Sequence, residues 1–229
     1  MGVTVLGLVI GSARDTGTQA RDSALSRPSA AVILARTAVA VSAAATGSVL
    51  QMIVTTPHGV SRAIIDDPGQ VTELVHNRAG GTMSESAIRK LPGPARRYES
   101  RTVNFAGGSW SQAVLAGAPG NPGGTVIETP AEAIEAQLHH QIGVDSRPQA
   151  AHARVTRATT IDGQRAYVLV LTGSGGPPAT VWISRSSWLP VQSASPGANV
   201  SYEWTAPGTI GAATLWPDVP PGLARIPPE

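Results

Sequence analysis

The chain has 229 residues, 41% of them hydrophobic and 14% charged, with 17 basic and 15 acidic side chains and a formal net charge of +2. A charged fraction well below the globular average of about 25% excludes disorder driven by charge excess. Scattered arginines, with Arg96-Arg97 as the sole doublet, exclude the clustered positive charge that nucleic-acid binding needs to displace counterions.

Cysteine is absent, which removes disulfides, thiolate chemistry, cysteine zinc sites and a lipidation cysteine. With 25 glycines and 19 prolines, the composition favours a turn-rich, mostly β chain over a helical bundle. Lys90 is the single lysine. That arginine bias, with the richness in Ala, Gly and Pro, points to a GC-rich bacterial genome.

Gly2–Gly11 (GVTVLGLVIG) is apolar but about half the roughly 20 residues a membrane span needs. No positive region precedes it, as a signal peptide requires. The polar stretch that follows, with Arg14, Arg21 and Arg27, reads as a linker. Two readings stay open: residues 1–27 are a truncated membrane anchor or signal remnant plus linker, or Val3–Ile10 is a short strand or apolar tail. The domain proper is expected over 28–229.

Ala30–Ala45 is a second apolar run, interrupted by Arg36, a costly residue at a bilayer centre. Ile33, Leu34, Thr37 and Val41 suit a packed soluble helix. Ser26 or Ser29 would cap it, Pro28 fits its first turn and Gly47 its end. The competing reading is a signal-peptide hydrophobic region ending at Ala43-Ala44-Ala45.

Ser48–Thr56 and Val60–Ile65 read as strands joined by Pro57-His58-Gly59, whereas Gln70–His76 is ambiguous. Leu91–Arg97 reads as a loop. Ser100–Ala106 alternates, with Val103 and Phe105 on one face and Thr102 and Asn104 on the other. Gly107-Gly108 turns the chain toward a returning Trp110–Leu115. A loop over Ala116–Gly124 precedes a helix opened by a capping box, Thr129-Pro130-Ala131-Glu132. Ile134, Leu138 and Ile142 form its apolar stripe and Gly143 its stop.

From Arg154 to Ile226 the chain reads as apolar strands punctuated by Gly/Pro turns, with four of the five tryptophans. Asp162-Gly163 signals a tight turn between Arg154–Ile161 and Arg165–Leu171. Thr180–Ser184 follows. Val200, Tyr202 and Trp204 alternate with Ser201, Glu203 and Thr205, one face apolar and the other wet.

Three motifs in this stretch carry a family resemblance. They are the hairpin entry D-G-x-x-A-Y (Asp162, Gly163, Ala166, Tyr167), the strand–turn–strand W-I-S-x-x-S-W-L-P-V (Trp182 to Val191), and the closing W-P-D-V-P-P-G-L (Trp216 to Leu223). Over residues 154–226 the chain resembles the LolA-like superfamily in its exported actinobacterial form. That group includes the outer-membrane lipoprotein carrier, the periplasmic regulator RseB and mycobacterial lipid-binding lipoproteins. The turn at Ser184-Arg185-Ser186-Ser187 departs from the Asp-Pro run common in relatives. The resemblance implies a mostly β (α+β) fold: a curved antiparallel sheet forming an unclosed half-barrel, with helices covering the concave face. It also implies lipid or acyl-chain binding in the cavity.

Residue chemistry adds no reaction. His139 and His140 are adjacent, about 100° apart on a helix, where two metal ligands want i, i+4. Glu132 belongs to the capping box and Glu135 to the wet face. Ser174 in Gly173-Ser174-Gly175-Gly176 lacks both the nucleophile-elbow and the P-loop pattern. No catalytic residue, cofactor or metal is therefore expected.

Ile134, Leu138, Ile142, Phe105, Tyr167, Trp182, Tyr202 and Trp204 are the candidate cavity or lid residues, with Tyr202 and Trp204 also readable as core. The reading is an extracytoplasmic, membrane-anchored or secreted, non-enzymatic binder of a lipid or other apolar small molecule. A regulatory ectodomain acting on a membrane partner protein or an anti-sigma system is the first alternative, and a hydrolase the second.

Overall fold

The computed structural model describes residues 28–45, 47–66, 71–78, 81–93, 97–116, 134, 152–173, 177–209 and 215–228. In chain order the elements are α1 (Ala30–Ala45), β1 (Val49–Thr56), β2 (Gly59–Asp66), β3 (Val71–Arg78), β4 (Gly81–Lys90), β5 (Arg97–Asn104), β6 (Ser109–Ala116), β7 (His152–Ile161), β8 (Gln164–Thr172), β9 (Ala179–Ser184), β10 (Pro190–Ser195), β11 (Ala198–Thr205) and β12 (Ala224–Arg225). Two compact units divide the chain, Met1–Val41 with Glu135–Gly197 and Ser42–Ile134 with Ala198–Glu229.

In the first unit the strand order is β10-β9-β8-β7, all antiparallel. Asp162 (φ 47°) and Gly163 (φ 79°) both take positive φ between β7 and β8. Such a primed turn matches the twist of its flanking strands, as Asp-Gly predicts. Register puts Tyr167, Leu169 and Leu171 beside Ile183, Val181 and Ala179 on one face. Helix α1 packs there: Ile33 forms one buried cluster with Leu169, Leu171, Ala179, Val181 and Ile183, flanked by Ala30, Leu34, Ala153 and Val155.

Ser29 is the cap, its Oγ accepting from the Val32 N–H at 3.3 Å. Pro28 therefore precedes the cap and is not in the first turn. Gly47 closes the far end, donating to the Ala44 carbonyl at 3.0 Å. Ile33, Thr37 and Val41 are buried at i, i+4, i+8, and the Thr37 hydroxyl is satisfied by the Ile33 carbonyl at 2.9 Å. Among the described residues no helix is long and apolar enough to cross a membrane.

In the second unit the order is β12-β6-β5-β4-β3-β2-β1-β11. Strands β1 to β6 are a meander of antiparallel neighbours, and β11 returns to pair with β1. Among the described strands β12 alone is parallel, beside Ser109 and Trp110 of β6. Among the described residues strands β7 and β12 each have one neighbour, so the fold is mostly β, antiparallel apart from β12 and not closed into a barrel, consistent with an unclosed half-barrel.

Several expectations change. Of the ambiguous Gln70–His76, residues 71–76 fall in strand β3, and Gln70 lies outside the described residues. Strand β4 has no counterpart in the sequence reading, because GTMSESAIRK is polar and buries only Ala87 and Ile88. Phe105 does not extend β5. It enters the turn, where Asn104 Oδ1 accepts from the Gly107 N–H at 2.7 Å, so Val103 and Phe105 do not share a strand face. The Thr129–Ile142 helix lies outside the described residues except for Ile134, which is helical and buried. Residues 1–27 lie outside them as well.

A candidate apolar face and two arginine–aromatic clusters

The second unit carries a continuous apolar sheet face. Leu50 of β1 pairs with Trp204 of β11 and with Ile65 of β2, and Met52 pairs with Tyr202 and Ala63. Val54 opposes Val200. Cross-strand partners share a face, so these side chains make one surface. Leu50, Met52, Ile65, Val200 and Tyr202 are buried, and Trp204 is half-buried. Ile88 is reached on the same face through Thr72. Beyond it the surface changes character: Ser86 opposes Thr102, Ile88 opposes Ser100, and Thr102 opposes Ser111. Small hydroxyls, mostly half-buried, therefore continue what begins as hydrocarbon.

The opposite face of this unit is built differently. Val49, Ile64 and Leu215 form a small core. Farther along, the Glu99 carboxylate accepts from Arg89 (Nε 2.9 Å, Nη2 2.6 Å) and from Gln112 Nε2. Arg101 donates to Gln112 Oε1 and, at 2.9 Å, to the Pro217 carbonyl. The guanidiniums of Arg89 and Arg101 lie 4.0 and 5.0 Å from the Trp216 ring centroid, within cation–π range. Trp216 Nε1 is buried with no hydrogen-bond partner among the described residues. Sequence reasoning misses this cluster. Its one signal is the alternation of Glu99 and Arg101, two residues apart and hence on one face of a strand.

A second cluster lies in the first unit. The rings of Tyr167 and Trp188 stack at 5.4 Å and 27°. Arg36 of α1 lies 4.6 Å from the Trp188 centroid, and Arg185 lies 5.1 Å from that of Tyr167. Trp188 holds this place at φ 62°, where a β-carbon clashes with the following carbonyl. The serine-rich turn enforces it. The Trp188 N–H donates to the Ser184 carbonyl (3.0 Å), Ser184 N–H to the Leu189 carbonyl (2.9 Å), and the Ser184 and Ser186 hydroxyls pair at 3.1 Å.

Trp188→Ala loses the ring and keeps the strain, whereas Trp188→Gly loses both. The glycine variant is therefore expected to be the more stable of the two by about 1 kcal/mol, read from urea midpoints. An alanine variant at least as stable would remove the strain argument.

The expected site residues separate accordingly. Tyr202 and Trp204 sit together on the apolar face of the second unit. Ile134 is buried in that unit, and Phe105 is half-buried in the β5–β6 turn. Tyr167 and Trp182 belong to the first unit and point to opposite faces of its sheet: Tyr167 opposes Ile183, and Trp182 opposes Val168. Leu138 and Ile142 lie outside the described residues. Among the described residues no group of three or more His, Asp or Glu side chains is placed to hold a metal.

No family model matches the chain, and no curated protein is similar to it. Several solved structures align with it at low identity. An uncharacterized conserved protein from Thermus thermophilus aligns over 87% of this chain and 99% of its own, at 11% identity and a TM-score of 0.46. LprF from Mycobacterium bovis aligns over 79% and 95%, at 16% identity and 0.43. The lipoprotein LppX from Mycobacterium tuberculosis aligns over 76% and 94%, at 13% identity and 0.41. TM-scores below 0.5 assign neither a fold family nor a function.

Proposed function

We propose that this chain is a non-enzymatic, extracytoplasmic binding protein that sequesters a lipid or other apolar small molecule. One observation carries the reading: the apolar face of β11, β1 and β2, where Val200, Tyr202, Leu50, Met52 and Ile65 are all at most 6% exposed. A sheet face so thoroughly buried needs a cover, and the helix expected over Thr129–Ile142 from its capping box and apolar stripe would serve as a displaceable lid. An acyl chain taking the lid's place gains about 0.8 kcal/mol per buried CH₂, so a dozen carbons suffice without a reacting group. The change from hydrocarbon to Ser86, Ser100 and Ser111 along the same face orients an amphiphile. Its chain lies on β11–β1–β2 and its polar end faces β4–β6.

A second reading, a regulatory ectodomain engaging a membrane partner protein, draws on edge strand β6. Among the described residues its outer side pairs only with the two residues of β12, and Val114 is 56% exposed. Exposed strand edges are templates for strand addition. Native mass spectrometry of the protein from its own host separates the two: bound lipid speaks for the first, a bound polypeptide for the second.

A further inference from the structure

The outward side of α1 is unusual for a helix facing water. Ala30, Ile33, Thr37 and Val41 turn inward, which leaves Val32, Ala35, Arg36 and Val39 at i, i+3, i+4, i+7 on the opposite side. All four are exposed, Val39 by 71% and Val32 by 43%. A helix of this kind ordinarily presents charged and polar groups outward. Here the single charge is Arg36, with no carboxylate beside it among the described residues.

Arg36 connects that apolar strip to the stacked rings of Trp188 and Tyr167, and through Tyr167 to Arg185. Arg165, two residues before Tyr167 on β8, is exposed on the same sheet face and passes its carbonyl to the Arg185 N–H at 2.8 Å. None of these three guanidiniums forms a salt bridge among the described residues. The charge of the unit points the same way. Its described residues hold five arginines (36, 154, 157, 165, 185) against one acidic residue, Asp162. The described residues of the other unit hold seven basic and six acidic side chains.

We infer that this surface docks the protein on an anionic phospholipid bilayer. The helix lies in the plane of the interface, with Val32 and Val39 toward the acyl boundary and Arg36, Arg165 and Arg185 among the phosphates. Amphipathic interfacial helices combine apolar side chains with basic ones in this way. Tyr and Trp favour the headgroup level, and arginine stems let the charge reach phosphate while the alkyl part stays on apolar surface. An exposed helix strip of valines, beside arginines that form no salt bridge among the described residues, matches the paired acyl and phosphate layers of a bilayer. This docking surface is distinct from the ligand face proposed above and stands independently of it.

Co-sedimentation of the full chain with vesicles tests it, comparing phosphatidylcholine alone with phosphatidylcholine containing phosphatidylglycerol. Binding is expected with the anionic vesicles and is expected to fall as salt rises. Arg36→Ala and Arg185→Ala each lower partitioning about fivefold, the equivalent of about 1 kcal/mol per guanidinium. Val39→Asp, at an exposed position, lowers it more while leaving the thermal melt unchanged. Arg154→Glu and Arg157→Glu, on the opposite sheet face, leave it unchanged. The variants separate this surface from any other membrane-active segment of the chain. Equal binding to neutral vesicles, no binding at all, or equal losses from Arg154→Glu would overturn the inference. Retention on polyglutamate without vesicle binding would overturn it too, in favour of an acidic protein partner.

Discussion

Leu169→Ala is expected to lower the free energy of unfolding by about 3 kcal/mol, within the roughly 2–5 kcal/mol found for deleting a buried leucine. Leu169 is fully buried at the centre of the cluster that joins α1 to β8 and β9. Its neighbours Leu171, Val181 and Ile183 stand on strands fixed by ladder hydrogen bonds, so they collapse little into the space left. The same change undermines the seat of Ile33, the helix residue that enters this cluster. Trp188 packs at its margin, so tryptophan emission in a urea titration reports the loss. A change below about 1 kcal/mol would mean that α1 is held by something other than this packing. Val39→Ala on the exposed side of the helix is the matched control and is expected to be near neutral.

Glu99→Ala has the second largest expected effect, about 2 kcal/mol, from leaving charged partners without their acceptor in a partly buried site. Its carboxylate is 12% exposed and receives both Arg89 and Gln112. Without it, Arg89 and Arg101 both lie against the Trp216 ring, at 4.0 and 5.0 Å from its centroid, and Arg89 loses its one salt-bridge partner among the described residues. Arg89 is 42% exposed, so solvent screens part of the penalty, and a double-mutant cycle with Arg89→Ala should give a coupling of only about 1 kcal/mol. Glu99→Gln keeps an acceptor oxygen and should cost about half as much as alanine. Chemical denaturation of these variants beside the parent protein checks this. A neutral Glu99→Ala would show that the indole and the backbone contact to Pro217 hold the C-terminal segment unaided.

Where local pattern and tertiary environment agree, the sequence is readable. Asp162-Gly163 can hardly serve another turn, and Val200-Ser201-Tyr202-Glu203-Trp204 has the period of a half-buried strand, so both appear as expected. The α1 helix follows from Ile33, Thr37 and Val41 at helical spacing, although the sequence leaves Ser26 and Ser29 equal as caps. Strand β4 is invisible because its hydroxyls and charges are accommodated by cross-strand partners on β5, Thr102 opposite Ser86 and Glu99 opposite Arg89 among them. The Trp216 cluster is hidden for the same reason. It assembles from β4, β5, β6 and the C-terminal segment, and only register brings Arg89 opposite Glu99 and Arg101 opposite Gln112. Phe105 is misplaced by the sequence pattern because Asn104 bends the chain before the glycines do.

The candidate site is legible in part. Alternation alone points to Tyr202 and Trp204, but their partners Leu50 and Met52 stand about 150 residues away and require the β1–β11 register. Tyr167 is marked by its place in a hairpin motif, whereas the structure shows it stacked with Trp188 beside two arginines. Trp188 is absent from the candidate residues, because nothing in Ser-Ser-Trp-Leu-Pro announces a left-handed tryptophan.

On the function proposed here, a lipid or other apolar molecule occupies the face formed by β11, β1 and β2. Native mass spectrometry of the protein recovered from its own host measures this directly. The expected result is discrete added masses that survive gentle ionisation, disappear on organic extraction and are recovered in the extract as apolar or amphiphilic molecules. A folded protein that carries only its polypeptide mass, and that takes up no acyl lipid when one is supplied, would contradict it.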